Sequence, residues 1–366
     1  MIPSHDVIVI GGGAVGAACA RELARTGRTV LILERGGRIG QAWQAAGGML
    51  APQIEADASD PLLGLGMAGR DLYLPLAGEL LETTGIDLGL WQEGIARVAG
   101  NDVEAAGLGS KVAWQQRQGL ACEWLEPHEV RRRWPWLGPA AGALWAPLDG
   151  ALDPERLVLA LLADAQRLGA ALVGDRAVRI ERVGDRVTGV TGEAGRYSAE
   201  HVLVTAGAWS GLLENLPRPL PVEPVRGQMA ALPWPAAVPR AIIYHKDCYI
   251  LARGGEAIIG STMESVGFRP EVTPAGLARI FTATLLLYPS LIRAKVRRTW
   301  SGLRPMTPDG LPIIGGEPML SGLWYATGHG RNGILLAGIT GVLIRQLLDR
   351  EAPAMGLQAF AADRFS

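Results

Sequence analysis

His5-Asp-Val-Ile-Val-Ile-Gly11-Gly-Gly13-Ala-Val-Gly16 opens the readable part of this chain, and Val30-Leu-Ile-Leu-Glu34-Arg35 follows shortly after. An apolar run from Val7 to Ile10 ends in Gly11, Gly13 and Gly16. An alanine-rich segment spans residues 17–24, and Gly27 precedes a second apolar run that stops at Glu34. This order predicts strand, tight turn, helix, strand. Each glycine has a separate reason to be there: Gly11 permits the turn, Gly13 lets backbone approach a pyrophosphate, and Gly16 lets helix and strand pack closely. The helix N-terminus offers free N–H groups and partial positive charge to phosphates. Glu34 sits where a carboxylate can accept from both ribose hydroxyls and would repel a 2′-phosphate. A GxGxxG alone is weak; between two predicted strands with the acid in place, it predicts dinucleotide binding.

Composition narrows the rest. At 366 residues the chain is long for one ordinary core, so two domains are expected. Lys+Arg total 35 against 36 Asp+Glu, and no basic face interleaved with aromatics is visible, which argues against a nucleic-acid partner. The one basic run, Arg131-Arg-Arg133, reads as the solvated end of a helix. Cys19, Cys122 and Cys248 are too few and too scattered for a disulfide framework or a zinc site, no metal is expected, and a reducing cytoplasm is. The small-residue N-terminus lacks a basic n-region, so secretion is not expected. The apolar stretch at residues 333–344 is too short for a membrane span, which needs about 20 residues.

Along the chain, residues 36–53 are glycine-rich without strand or helix periodicity. Trp43, Met49 and Leu50 suit solvent poorly, so the segment is expected to wrap a cofactor as a loop. A helix is expected over 66–82, stopped by Gly85, and another from Asp153-Pro154 to Gly169. Strands are expected at 89–98, 141–147, 170–173, 177–180 and 201–205, with 187–191 in a hairpin. The strand ending in Thr205-Ala-Gly207 presents ligand contacts at a sheet's carboxyl edge. Residues 221–302 change to short alternating strands, at 222–232, 241–253, 257–262 and 295–302, interrupted by one helix. The tail then forms a strand at 323–326 and a helix beginning near Thr327-Gly328-His329-Gly330-Arg331-Asn332-Gly333-Ile334, a second dipole terminus aimed at something anionic or electron-rich. The expected fold is α/β: a Rossmann-like nucleotide-binding domain made of 1–85, 148–218 and 303–366, with an inserted antiparallel-sheet domain made of 86–147 and 219–302. One dinucleotide site built from both chain ends, with no second GxGxxG for NAD(P)H, suggests a flavin reduced by a small substrate.

The segments Ala45-Ala-Gly47-Gly48-Met49-Leu50, Thr205-Ala-Gly-Ala-Trp209-Ser210, Asp247-Cys-Tyr249-Ile250, Gly260-Ser-Thr-Met263, Trp300-Ser-Gly-Leu-Arg304-Pro305 and Thr327 to Leu336, with Glu34-Arg35, resemble the glycine oxidase (ThiO-type) branch of the D-amino acid oxidase family, colinearly over nearly the whole chain. The resemblance implies a GR2-type flavoprotein with non-covalent FAD. It implies oxidative deamination of glycine, sarcosine and small D-amino acids by hydride transfer to flavin N5, with O2 reoxidising the flavin to give hydrogen peroxide, a role in thiamine biosynthesis and a tetrameric homo-oligomer. A dehydrogenase passing electrons to a quinone or partner protein, or a non-catalytic flavin subunit, are the alternatives. On this resemblance Arg304 binds the substrate carboxylate, Tyr249 adds a hydrogen bond, Met49 and Met263 line the amine side, and Arg331 faces carboxylate or flavin. It places the cofactor against Gly11, Gly13, Ala14, Val15, Gly16, Glu34, Arg35, Ala42, Trp43, Gly47, Gly48, Met49, Val178, Gly207, Gly328, His329, Gly330, Arg331, Asn332, Gly333 and Ile334. A guanidinium suits the first role because it meets a carboxylate in two parallel bonds, which Lys cannot reproduce. Tyr249 and Arg253 share one strand face, Gly302 and Arg304 another, so the two anchors can point into one cavity. His329 reads as a loop residue, not a base. Asp247 stands where some relatives carry His, which alters the expected polarity of the pocket mouth.

Overall fold

The computed structural model describes residues 4–37, 40–56, 60–235, 237–246 and 248–365. The opening run is the strand Ser4–Ile10, and Val7 to Ile10 are at most 4% exposed. It pairs in parallel with Val30–Leu33 on one side and with Arg196–Val204 on the other. Across the sheet the order is Ile313–Gly316, Leu323–Thr327, Arg196–Val204, Ser4–Ile10, Val30–Leu33, Ala171–Val173, and only the first pair is antiparallel. These strands read as continuous apolar runs because both faces are covered. The helices Ala14–Arg25, Pro61–Thr84, Pro154–Arg167 and Gly333–Leu348 cover one face. On the other face lies the meander of Ala177–Val183 and Arg186–Gly192, which continues into the first half of Arg196–Val204.

Local chemistry explains the helix boundaries. Asp153 accepts from the backbone N–H of Glu155 and Arg156 and starts the helix at Pro154, as expected. The helix expected over 66–82 begins earlier, at Pro61, because Asp60 caps it by accepting from Leu63 N at 2.8 Å. It ends where Gly85 takes φ 72°, a conformation that costs glycine little. Arg131, Arg132 and Arg133 do occupy the last turn of a helix, Pro127–Arg133.

A second sheet carries Arg298–Met306, Glu223–Pro233, Glu256–Gly260, Cys248–Arg253, Ile242–His245, Ile95–Ala99, Gly142–Ala146 and Glu123–Leu125 in that order, all antiparallel except the pairing of Ile242–His245 with Ile95–Ala99. Three sequence expectations change here. The single strand expected at 241–253 is a hairpin that turns at Lys246 and sets Tyr244 opposite Tyr249. The strand expected at 89–98 is confined to Ile95–Ala99, with Trp91 making only an isolated bridge to Ala151. The boundary at 302/303 falls inside the strand Arg298–Met306, so Arg304 belongs to the second sheet. The helix Pro274–Leu287 packs on one face of this sheet, and the face bearing Met229, Tyr244 and Tyr249 gathers Ala51 and Ile54 from the glycine-rich segment.

That segment is not a plain loop. It folds as Ala42–Ala45 and Pro52–Glu55, two single helical turns, around the strand Met49–Leu50, which pairs with Gly150–Ala151. Periodicity cannot reveal elements that last barely one period. Asp247 lies outside the described residues, as do Arg38 and Ile39 of the same segment. Among the described residues no helix is long and apolar enough to cross a membrane, and no cluster of His, Cys, Asp and Glu is arranged to hold a metal.

Candidate active site between the two sheets

The carboxyl ends of Ser4–Ile10, Val30–Leu33 and Arg196–Val204 open into a long cavity whose far wall is the second sheet. The turn after the first strand is closed by backbone proximity. Gly11 takes φ +106°, and a Cβ on Gly16 would sit 1.9 Å from the Gly11 carbonyl oxygen, so Gly16 lies beneath the turn and does not line the cavity. Thr205 locks the same turn by donating from Oγ1 to the carbonyls of Ile10 and Gly11. Gly13, Ala14 and Val15 do line the cavity, and the helix they begin has no side-chain cap and no acid in its first turn. Its N–H groups and dipole therefore face the cavity uncompensated, which suits an anion. A Cβ at Gly13 would project toward Trp43 Cδ1 at 3.5 Å, into the gap a bound group would use.

Glu34 is held at the end of the second strand by Gly12 N (2.7 Å), Gly36 N (3.2 Å) and Gln41 Nε2 (3.2 Å), and it lines the cavity. Arg35 lies over the Trp209 ring, 3.7 Å from its centroid. Ala42, Trp43, Gly47, Gly48, Met49, Val178 and Gly207 also line the cavity. At the other end the helix Gly333–Leu348 begins, again with no side-chain cap and no acid in its first turn. His329, Gly330, Arg331, Asn332, Gly333 and Ile334 line the cavity there. Gly328 does not; it turns the chain behind them at φ +72°. The two chain ends thus aim two open helix N-termini at one space.

The second sheet contributes cations and hydroxyls. Arg304 donates to the Thr262 carbonyl at 3.0 Å and to Ser261 Oγ at 2.7 Å, and among the described residues it meets no carboxylate. Burial holds its pKa below the ordinary guanidinium value. Tyr249, 5% exposed, lies in the same cavity with Oη 3.4 Å from Met229 Sδ, and burial pushes its pKa up to about 12. Its hydroxyl fits because residue 47 is glycine: a Cβ there would come within 2.5 Å of Oη. Arg331 pairs with Glu55 at 3.1 Å and donates to Tyr244 Oη, which itself donates to Glu55 at 3.0 Å. Glu55 raises the pKa of Arg331. His329 is buried beside Thr340 Oγ1 at 3.0 Å, and burial lowers its pKa to about 3, so it is neutral.

The structure does not bring Met263 into the cavity. The strand Glu256–Gly260 ends three residues earlier, the chain turns outward, and Met263 is 45% exposed. Ser261 takes the inward position. Arg253 faces the glycine-rich segment and donates to the Gly47 and Leu152 carbonyls at 2.9 and 3.0 Å. Sequence reasoning missed Glu55, Tyr244, Ser261, Gln41 and Gly227. Tyr244 sits in an apolar run that reads as core, and only its pairing with Tyr249 reveals it.

A family model described as FAD dependent oxidoreductase matches residues 6–347. The chain belongs to the family of FAD-dependent oxidoreductases. Among its relatives, a glycine oxidase of Geobacillus kaustophilus is 35% identical over the whole of this chain and 98% of its own length. A bifunctional ThiO/ThiG protein of Nostoc is 36% identical over 94% of this chain and 53% of its own length. The crystal structure of the Geobacillus kaustophilus glycine oxidase superposes with a TM-score of 0.94 at 34% identity, covering 98% of both chains. The cofactor of the family fits the cavity. Two uncapped helix N-termini suit its pyrophosphate and the electron-rich ring edge, Glu34 suits a ribose diol, and the space in front of Gly13 suits close approach of the phosphates.

Proposed function

We propose that this FAD-dependent oxidoreductase oxidises glycine and comparably small amino acids, sarcosine and D-alanine among them, at the end of the cavity where Arg304, Tyr249 and Arg331 meet. The observation that carries the proposal is Arg304: a half-buried guanidinium that lines the cavity and, among the described residues, meets no carboxylate, which is the arrangement a substrate carboxylate completes. Glycine with O2 and water gives glyoxylate, ammonia and hydrogen peroxide. FAD, when bound, supplies the two-electron acceptor that O2 reoxidises.

The chain's own residues bind and orient. Arg304 takes the carboxylate in a fork. Tyr249, kept protonated by its raised pKa, donates to it. Arg304 in its largely desolvated surroundings disfavours a bound ammonium, so the substrate binds as the neutral amine that Cα–H oxidation requires, without a dedicated base. His329, neutral and engaged with Thr340, stays out of proton transfer. Met49, Tyr249 and Ile334 limit side-chain bulk.

The wider roles follow the same reading. The first sheet and its helices carry the cofactor non-covalently, and the second sheet, Arg304 with it, carries the substrate. The ThiO/ThiG relative supports a place in thiamine biosynthesis. Three buried cysteine thiols support a cytoplasmic setting. Leu74 and Leu81, two turns apart and 66% and 49% exposed, support a homo-oligomer. The test is a substrate panel read by peroxide release and O2 uptake. Peroxide from glycine supports the proposal; flavin reduction reoxidised only by artificial acceptors would replace the oxidase with a dehydrogenase.

A further inference from the structure

Outside the cavity lies a buried polar cluster that the reaction does not use. Asp149 and Gln115 are 0% exposed, Gln53 0% and Arg70 2%. Asp149 Oδ2 accepts from the backbone N–H of Gln53 and of Ile54, both at 3.1 Å, and its Oδ1 accepts from Arg70 Nη1 at 3.1 Å. The same Nη1 donates to Gln53 Oε1 at 2.8 Å. Gln53 Nε2 donates to Gln115 Oε1 and to the Ala121 carbonyl, while Gln115 Nε2 donates to the Gln53 carbonyl at 2.7 Å. Lys111 Nζ closes the far side on the Ile54 carbonyl at 2.8 Å. Burying an ion pair this completely is rarely the most stable use of the space; an apolar cluster of the same volume often does as well or better. A fully satisfied polar network does fix one geometry.

What the network grips is the turn Pro52–Glu55. Four residues do not hold a helical turn by themselves, so its place is set by these ties. Its last residue, Glu55, enters the cavity and pairs with Arg331. Arg331 precedes the N-terminus of Gly333–Leu348, where the helix dipole repels a cation, so its position depends on that acid. We infer that Asp149 is a positioning residue for Arg331: through the Gln53 and Ile54 N–H groups it fixes the turn whose Glu55 holds the Arg331 guanidinium in the cavity. The inference rests on reading that cavity as a carboxylate site.

The test uses the FAD-loaded enzyme and two readouts: the dissociation constant of acetate, followed by the flavin absorbance, and KM against kcat for glycine. Asp149→Asn keeps the volume and removes the charge. It should weaken acetate and raise KM by about ten-fold while kcat moves by less than about three-fold. In a Glu55→Gln background the same change should shift the acetate constant by less than about two-fold, because its route to Arg331 is already cut. Gln53→Met, which leaves the ion pair and loosens the turn, should reproduce the weakening in part and serves where Asp149→Asn does not fold. Equal effects in both backgrounds, or a lowered melting temperature with unchanged acetate binding, overturn the positioning role. Acetate binding with the coupling intact but no amino acid oxidised overturns the proposed reaction and leaves the positioning role supported.

Discussion

Arg304 occupies the space that a side chain at Gly227 would need. A Cβ built on Gly227 lies 2.2 Å from both Nη1 and Nη2 of Arg304. The two residues sit on adjacent strands of the second sheet, where Val225 is opposite Arg304 and Gly227 opposite Gly302. The absence of a side chain at 227 is therefore what lets the guanidinium lie against the sheet and donate to Ser261 and Thr262. Gly227→Ala should displace Arg304 while leaving the cofactor end untouched. The expected result is a loss of at least about ten-fold in kcat/KM for glycine, mostly as a raised KM, with full FAD content. Unchanged kinetics in a folded variant would take Arg304 out of the substrate site.

Arg304→Lys asks a narrower question. A lysine keeps the charge but offers a point donor where the fork offers two parallel bonds. We expect kcat/KM to fall by roughly 2–3 kcal/mol of transition-state binding, and Arg304→Ala to cost roughly 3–5 kcal/mol. Steady-state kinetics with glycine check both. A lysine variant as active as the parent would mean that the carboxylate binds elsewhere.

Glu34 tests the cofactor end. Its carboxylate is held by Gly12 N and Gly36 N and lines the cavity, so Glu34→Ala removes the acceptor for a ribose diol and an anchor of the phosphate turn. The variant should lose FAD on dialysis, by roughly 1.5–3 kcal/mol of binding, read from the ratio of flavin to protein absorbance. Complete flavin retention would remove Glu34 from that role.

How much of this was legible beforehand depends on the length scale of the signal. The turn from Gly11 to Gly16 and the acid at Glu34 are local patterns with fixed spacing, and the structure places them at the open ends of neighbouring parallel strands as that spacing requires. Arg304 and Tyr249 carry no such pattern; only a resemblance drew attention to them, and it drew the same attention to Met263, which the structure turns outward. Glu55 and Gly227 were invisible for a different reason. One acts through a partner 276 residues away and the other by having no side chain where a neighbouring strand needs room. Such relationships exist only once strand register is fixed, and register is not local information.

Gly16 offers a stability test of the opening motif. A methyl group there would sit 1.9 Å from the Gly11 carbonyl and 2.6 Å from Thr205 Oγ1, both held by the sheet. The helix would have to lift from the strand. Gly16→Ala should destabilise by about 3 kcal/mol or more, which chemical denaturation of the flavin-free protein can read without interference from cofactor loss. A variant as stable as the parent would show that helix and strand tolerate a wider spacing.

His329 predicts a pH dependence with a definite sign. Burial holds its pKa near about 3 in the folded chain, against the ordinary value of 6.5 when unfolded. Between those values the unfolded chain binds a proton that the folded chain does not, so stability contributed by the neutral ring is lost as pH falls. The slope from this one group approaches about 1.4 kcal/mol per pH unit, or about 2 kcal/mol between about pH 7.5 and pH 5. Asp149 works in the opposite direction over the same window: burial raises its pKa to about 7, and the folded chain takes up its proton first. The parent's total pH dependence therefore mixes the two, and the informative quantity is the difference between parent and His329→Gln. That variant keeps a group able to reach the Thr340 hydroxyl but has nothing to protonate. Denaturation midpoints at the two pH values should show the parent losing about 2 kcal/mol more than the variant on acidification. Equal losses in the two proteins would mean that the ring is protonated in the folded state, and His329 would then stand beside the proposed substrate as a cation.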